Sequence, residues 1–290
     1  MFEGFRNVRV DTGEATINAV VGGSGQPLLL LHGYPQTHVI WHKIAPRLAE
    51  HFTIVAADLR GYGDSSKPEG APDHSNYSKR ALARDQVELM RQLGFERFYL
   101  AGHDRGGRVA HRLAVDHPER VLKLATLDIS PTKRMYESTN RDFAQAYYHW
   151  FFLIQAKPLP EKLIGSNAQF YLLKKIGSGS AGLAPFTPEA LSEYLRCFAP
   201  ETIHGSCEDY RASASIDLEY DREDIQAGRK VTCPLLALWG KSGVIERLFT
   251  PLRDWAEVAV DVRGHALNGG HYLAEELPDE TFAELKTFFQ

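Results

Sequence analysis

Asp104 stands in the run Gly102-His103-Asp104-Arg105-Gly106-Gly107, between the apolar stretch Arg97-Phe98-Tyr99-Leu100-Ala101 and the helix-like stretch Val109-Ala110-His111-Arg112-Leu113-Ala114. A strand, a sharp turn and a helix in that order form the setting of G-x-S-x-G, in which a serine nucleophile is held out from the backbone. A carboxylate in that place does different chemistry. Serine attacking a saturated carbon would leave a stable ether, whereas a carboxylate leaves an ester that water can cleave at the enzyme's own carbonyl. Asp104 therefore points away from esterase work and toward displacement at sp3 carbon, as in alkyl halides or epoxides.

Such an ester needs a base to activate water, an acid to orient the base, and donors for the oxygen of the tetrahedral intermediate. Gly269-Gly270-His271 follows the last strand-like pattern, and the chain order nucleophile, acid, histidine suits a hydrolytic triad. His271 is the expected base. The acid commonly lies in a W-G-x-x-D run after the seventh strand, but this chain reads Trp239-Gly240-Lys241-Ser242-Gly243-Val244. The acid must then come from another strand end. Asp128, closing Leu124-Ala125-Thr126-Leu127, is the candidate; the alternative is a turn or cap residue ahead of Pro131. His32-Gly33-Tyr34-Pro35 follows a buried strand pattern and offers the backbone amide of Tyr34, with that of Arg105, as the oxyanion donors. The run Asp58-Leu59-Arg60-Gly61-Tyr62-Gly63-Asp64-Ser65 is a second loop pattern of the same kind of fold.

Arg105 and Arg108 lie three apart in the first helical turn after Asp104 and share one face. A helix start carries partial positive charge, so each guanidinium there is disfavoured by up to ~1 kcal/mol at an exposed position. Asp104 offsets part of this, and two guanidiniums also make a clamp for a substrate carboxylate. Salt bridges to surface acids, or an RGG-like nucleic-acid patch, are the other readings. The latter fits poorly with a chain that is neither repetitive nor basic, its formal net charge being -4. A carboxylate held beside a nucleophile aimed at saturated carbon describes a short 2-substituted acid with a leaving group, for which halide is the natural candidate. Fluoride, compact and strongly hydrated, would need several hydrogen-bond donors in a dry pocket.

Strand-like and helix-like segments alternate along the chain. Strands are expected at Val8–Asp11, Ala15–Val20, Pro27–Leu31, Thr53–Ala57, Arg97–Gly102, Leu124–Asp128, Pro234–Trp239 and Val258–Val262, with a helix over Lys79–Leu93. The runs Leu28-Leu29-Leu30-Leu31 and Leu235-Leu236-Ala237-Leu238 suit parallel strands buried on both faces, so the expected class is α/β, with chemistry at the carboxyl ends of the strands. From about Lys133 to Arg229 the rhythm breaks into aromatic, helix-forming sequence. This predicts a core of residues 1–132 and 230–290 with a helical cap inserted at 133–229.

The 290 residues, 43% of them hydrophobic, suffice for a substantial core. No basic-then-apolar leader is apparent at Met1-Phe2-Glu3-Gly4-Phe5-Arg6, and no apolar run approaches the ~20 residues that cross a bilayer. Cys197, Cys207 and Cys233 form no C-x-x-C pair and read as free thiols in a reducing compartment, hence the cytoplasm. The twelve histidines show neither H-E-x-x-H nor zinc spacing, so no metal is expected.

Taken together these residues resemble the fluoroacetate dehalogenases, a branch of the α/β-hydrolases. The similarity runs over nearly the whole chain: Met1-Phe2-Glu3-Gly4-Phe5, His103-Asp104-Arg105-Gly106-Gly107-Arg108, Tyr148-His149-Trp150, Ile203-His204-Gly205-Ser206-Cys207-Glu208-Asp209-Tyr210-Arg211 and Gly270-His271. The resemblance implies an α/β-hydrolase fold with a mostly parallel eight-stranded sheet. It places the nucleophile at Asp104, the acid at Asp128, the base at His271, and the carboxylate-binding arginines at Arg105 and Arg108. It also implies halide donors at His149, Trp150 and Tyr210, which from the residues alone read as a packed aromatic helix face. No cofactor is implied, the partner is a small haloacid rather than nucleic acid or membrane, and a homodimer is expected. Two positions depart from the family. Tyr34 replaces the more usual Phe, and Ser178 in Ile176-Gly177-Ser178-Gly179 stands where a Trp is expected, which predicts a looser pocket wall. The rival is an epoxide hydrolase sharing the Asp nucleophile, with Tyr210 and Tyr148 as candidate ring-opening acids; a ligand receptor on the same fold is a third, non-enzymatic possibility.

Overall fold

The computed structural model describes residues 1–179 and 181–290. Its sheet has eight strands: β1 Arg6–Asp11, β2 Thr16–Gly23, β3 Pro27–Leu31, β4 Thr53–Ala57, β5 Phe98–His103, β6 Val121–Leu127, β7 Leu235–Gly240 and β8 Val262–Leu267. They lie in the order β1-β2-β4-β3-β5-β6-β7-β8. Both pairings of β2 are antiparallel and all the others are parallel. The leucine runs explain why the middle strands are central. Along β3, Leu29 and Leu31 enter one apolar cluster while Leu28 and Leu30 enter the other on the opposite face. The same alternation holds along β7, with Leu235 and Ala237 on one side and Leu236 and Leu238 on the other. Burying a leucine is worth about 2 kcal/mol, so a strand apolar on both faces is stable only inside a three-layer stack.

The last strand differs from expectation. Val258 ends the helix Pro251–Val258, and β8 begins four residues later, at Val262. The alternation Val258-Ala259-Val260-Asp261-Val262 imitates a strand. However, Pro251 opens a helix there that buries Trp255, while β8 is a half-exposed edge strand carrying Gly264 and His265, with little apolar signal. Asp128, expected as the last residue of its strand, instead steps out of β6 with φ +52°.

Between β6 and β7 the chain runs through eight helices, from Thr132 to Gln226, with no strand among the described residues. No described helix is long and apolar enough to cross a membrane. Register aligns the functional strand ends: Leu31 lies beside Gly102, His103 beside Leu127, and Leu127 beside Leu238. The segments beginning at His32, Asp104, Asp128 and Lys241 therefore emerge along one rim of the sheet.

A close backbone approach occurs where the helix Arg105–Asp116 leaves β5. A Cβ on Gly106 would overlap the carbonyl oxygens of Leu31 and His32, and one on Gly102 would overlap the backbone of Gly106. Neither neighbour is a flexible side chain, so the backbone itself would have to move. Gly106→Ala is expected to destabilise by about 2 kcal/mol or more, read as a lower urea midpoint with an unchanged slope.

Candidate active site

Asp104 occupies the turn between β5 and the helix Arg105–Asp116 with φ +47° and ψ −113°, a conformation that L residues rarely adopt. Such geometry costs of order 1–3 kcal/mol and persists only where surrounding packing imposes it. Here Gly33 supplies the room, since a Cβ at that position would overlap the Asp104 side chain. The Tyr34 amide donates to Asp104 Oδ1 at 2.9 Å, and among the described residues Oδ2 accepts no hydrogen bond. The amide of Arg105, first residue of its helix, is one of those with no acceptor inside the helix. Burial opposes ionisation of Asp104, but His271, Arg108 and Arg105 outweigh it and hold its carboxyl down to about 2.

His271 Nδ1 lies 2.5 Å from Asp128 Oδ2, while Asp128 Oδ1 accepts the Gly240 amide at 2.8 Å. Both oxygens of this fully buried acid are thereby engaged, and the imidazole keeps Nε2 for other chemistry. The run after β7 that lacks an aspartate packs against the acid: a Cβ on Gly243 would stand 3.4 Å from Asp128 Oδ1. The loop carrying His271 is held from both sides. Glu276 accepts the amides of Gly270 and Tyr272 at 2.8 and 2.9 Å, and the His271 amide donates to the carbonyl of Gly179.

The two arginines, both buried, are in different electrostatic situations. Arg105 is paired with Asp209, donating from Nε at 2.8 Å and from Nη2 at 2.9 Å, and leaves Nη1 without a partner. Burial would lower its pKa, but Asp209 reverses this and raises it. Arg108 donates to the Ser130 carbonyl, Thr132 Oγ1 and Met135 Sδ, leaves Nε unpartnered, and has no carboxylate within salt-bridge distance among the described residues. Burial and the neighbouring Arg105 both lower its pKa. A buried cation without an anion is costly unless something brings one. The expected pair of equivalent clamps is thus one guanidinium already neutralised and one that is not.

His149 Nδ1, Trp150 Nε1 and the Tyr210 hydroxyl are all buried without a hydrogen-bond partner. Tyr210 packs against His149, with ring centroids 5.7 Å apart, and against Trp150 at 6.3 Å. It also stacks under Arg105 at 4.1 Å, and Trp150 under Arg108 at 4.6 Å. Burial and the charge of Lys175 push His149 well below its ordinary pKa, so its ring is neutral. Burial and Asp104 raise Tyr210, keeping its phenol protonated. Tyr148 behaves otherwise: it is 47% exposed. Tyr34 is buried and its hydroxyl donates to Tyr171 at 3.2 Å, so it neither faces water nor serves as a free donor. Ser178 is exposed and spends its hydroxyl on the Lys175 carbonyl at 3.0 Å. It lines a cleft of about 500 Å³ that reaches His271.

Three participants were not anticipated. Asp209, beside Tyr210, accepts from Arg105, Lys79 and Tyr62 at once. Glu276 fixes the histidine loop, and Lys175 faces the cleft. Asp209 was the most discoverable, because a buried arginine demands an acid and one stands next to an expected site residue. Two groups of metal-ligand type lie elsewhere, Asp64 with Glu193 and Cys197, and Glu161 with His204 and Glu208. Each already holds an arginine between its carboxylates: Arg196 donates to Asp64 and Glu193, and Arg211 to Glu161 and Glu208.

A strand-end aspartate in a strained turn, a histidine oriented by a second aspartate and a backbone donor beside the first describe a hydrolase site. The chain belongs to the alpha/beta hydrolase fold family, whose profile matches residues 26–193. Among curated relatives it is 53% identical to a fluoroacetate dehalogenase of Burkholderia sp, over 99% of this chain and 95% of that protein. It is 35% identical to a soluble epoxide hydrolase of a Corynebacterium species, over 93% and 92% of the two chains. A crystal structure of an alpha/beta hydrolase from Nostoc sp PCC 7120 superposes with a TM-score of 0.98 at 58% identity, covering 100% of this chain and 99% of that one.

The contrast between the arginine environments is measurable without substrate. Asp209→Ala would strand Arg105 and Lys79, and its expected cost is about 3–5 kcal/mol. Arg108→Met removes a cation that has no carboxylate within salt-bridge distance among the described residues and is expected to leave urea stability unchanged or raised.

Proposed function

We propose that the protein is a hydrolytic dehalogenase of short 2-haloacids, with fluoroacetate, converted to glycolate and fluoride, as the leading substrate. The observation that carries this reading is Arg108, a buried guanidinium near Asp104 with no carboxylate of its own. A substrate carboxylate would complete it, with the unpartnered Nη1 of Arg105 as a second donor. The 53% identical relative acts as support.

In the first step Asp104 Oδ2 attacks the halogen-bearing carbon from behind. The new C–O bond forms as the carbon–halogen bond breaks, and the halide leaves with its electron pair toward the N–H of His149, the indole N–H of Trp150 and the O–H of Tyr210. A neutral His149 bearing its proton on Nδ1 is suited to that donation. In the second step His271 Nε2 takes a proton from water, and the hydroxide adds to the Asp104 ester carbonyl. The Tyr34 and Arg105 amides hold the oxyanion. On collapse the C–O bond to the substrate breaks, its oxygen takes the proton back from His271 to give the 2-hydroxy acid, and Asp104 loses a proton to solvent and returns to carboxylate. The helices of residues 133–229 act as the cap in this scheme, because they deliver all three halide donors.

An epoxide hydrolase would need two phenols at the ring oxygen. Tyr210 is in place, but Tyr148 is turned outward, and neither an unpaired arginine nor an indole donor serves a neutral epoxide. The missing aromatic wall at Ser178 also admits acids larger than fluoroacetate, such as 2-fluoropropionate.

Fluoride-electrode assays on fluoroacetate test the reading. Wild type should turn over and Asp104→Asn should not; sustained turnover by the variant would remove Asp104 from the nucleophile role. His271→Asn is expected to stop at the ester, visible by mass spectrometry as added mass on Asp104. Styrene oxide turned over in preference to any haloacid would decide for the epoxide reading. Tyr210→Phe keeps the ring under Arg105 but deletes one donor. Fluoroacetate turnover should fall about 10–100-fold, and chloroacetate turnover clearly less, because fluoride depends more on hydrogen-bond donors.

A further inference from the structure

Lys175 is the feature of the site that the scheme above leaves unused. It lies in the helix Ala168–Ser178, whose start is capped by Asn167, and its side chain is 7% exposed. Among the described residues its ammonium has neither a hydrogen-bond nor a salt-bridge partner, unlike the buried Lys79, which is paired with Asp209 and Asp217. It faces the cleft that reaches His271. Arg247 also lines that cleft, and the one carboxylate among its described lining residues, Glu276, spends both oxygens on backbone amides. The carboxylate whose charge Lys175 feels is Asp104.

We infer that Lys175 is a specificity-determining residue that captures the incoming substrate carboxylate in the cleft and passes it inward to Arg108 and Arg105. This rests on the dehalogenase reading for the identity of the anion. The physical case is one of succession. Asp104 is itself negative and repels an arriving carboxylate, so a route lined only by neutral groups would meet a barrier at the nucleophile. A mostly buried ammonium whose charge interacts with Asp104 lowers that barrier, and a low-dielectric cleft focuses its field. Among the described lining residues no free carboxylate competes for the charge, since Arg247 is a like cation and Glu276 is occupied. Burial brings the Lys175 pKa down to about 8 against the opposing pull of Asp104. The charged and titratable groups around it are Tyr147, His271, Arg247 and Glu276, which line the same cleft, and Asp104 and His149, whose charges interact with its own. Its charge, and the capture it provides, is present below about pH 8 and is lost as pH rises through that value.

The test compares wild type, Lys175→Met and Lys175→Arg in chloroacetate turnover. Lys175→Met should lower kcat/KM by about tenfold with kcat within roughly threefold, and Lys175→Arg should restore most of the loss. Wild-type kcat/KM should fall across pH 8 in a way that Lys175→Met does not share. Unchanged kcat/KM in Lys175→Met, or equal losses of kcat and kcat/KM that arginine fails to rescue, would overturn the assignment. A wild type that releases no halide would count against the dehalogenase reading alone, because a second measurement does not depend on turnover. Iodide quenching of tryptophan fluorescence should weaken at least about threefold in Lys175→Met while quenching by neutral acrylamide stays the same. Equal iodide quenching in the two proteins would also overturn the inference. If Lys175→Met does not fold, Lys175→Gln replaces it in both experiments.

Discussion

The buried ion pair between Arg105 and Asp209 organises the rest of the site. Arg105 follows Asp104 directly, so its guanidinium is anchored to the strained turn; Asp209 precedes Tyr210 in the helix Pro200–Ala214. Their bidentate contact ties that turn to a helix more than a hundred residues away in sequence, with no solvent to screen it. Desolvating both charges is expensive, and the contact repays that only because nearly every lone pair and N–H is used. Lys79 and Tyr62 complete the shell around Asp209. The arrangement positions Tyr210 under Arg105 and leaves a single guanidinium corner open.

Against that closed network, the open groups stand out. Arg108, His149, Trp150 and Tyr210 are buried and incompletely satisfied, in a protein whose other buried arginines are matched to carboxylates: Arg60 to Asp85, Arg112 to Asp224 and Arg211 to Glu208. Stability alone would not retain so many unpaired donors in one region. A small anion with a halogen at one end and a carboxylate at the other is complementary to them. The cation-rich surroundings also keep Asp104 ionised, which is the state a nucleophile requires.

Much of this was legible in the chain, for reasons that differ by residue. The leucine runs of β3 and β7 announce strands buried on both faces because only the core tolerates such sequence. Asp104 was visible because glycines flank it where the backbone must pass close to β3. Asp128 was reachable by elimination, since the run after Trp239 lacks an acid. What local sequence could not show was pairing across the fold. The ion pair of Arg105 with Asp209 depends on a tertiary contact, so the two arginines read as equals. Tyr148 and His149 are neighbours in sequence, but a five-residue helix turns one out and the other in. The last strand was misplaced because an edge strand carries weak apolar patterning, whereas the end of the preceding helix alternates by chance.

The shift of the orienting acid to the end of β6 also bears on how this protein can diversify. Where the acid follows β7, that loop is bound to the proton-transfer geometry and can vary little. Here the segment from Ser242 to Arg247 is held by the amides of Ser242 and Gly243, by Glu246, which accepts the Trp239 indole N–H, and by buried Ile245, while Ser242, Gly243, Val244 and Arg247 line the cleft. Aperture and catalysis are therefore carried by separate pieces of chain. Side-chain changes at the cleft-lining positions Val244 and Arg247 can alter the aperture without replacing a member of the histidine–aspartate pair, a modularity that makes this rim a natural place for new substrate ranges to arise.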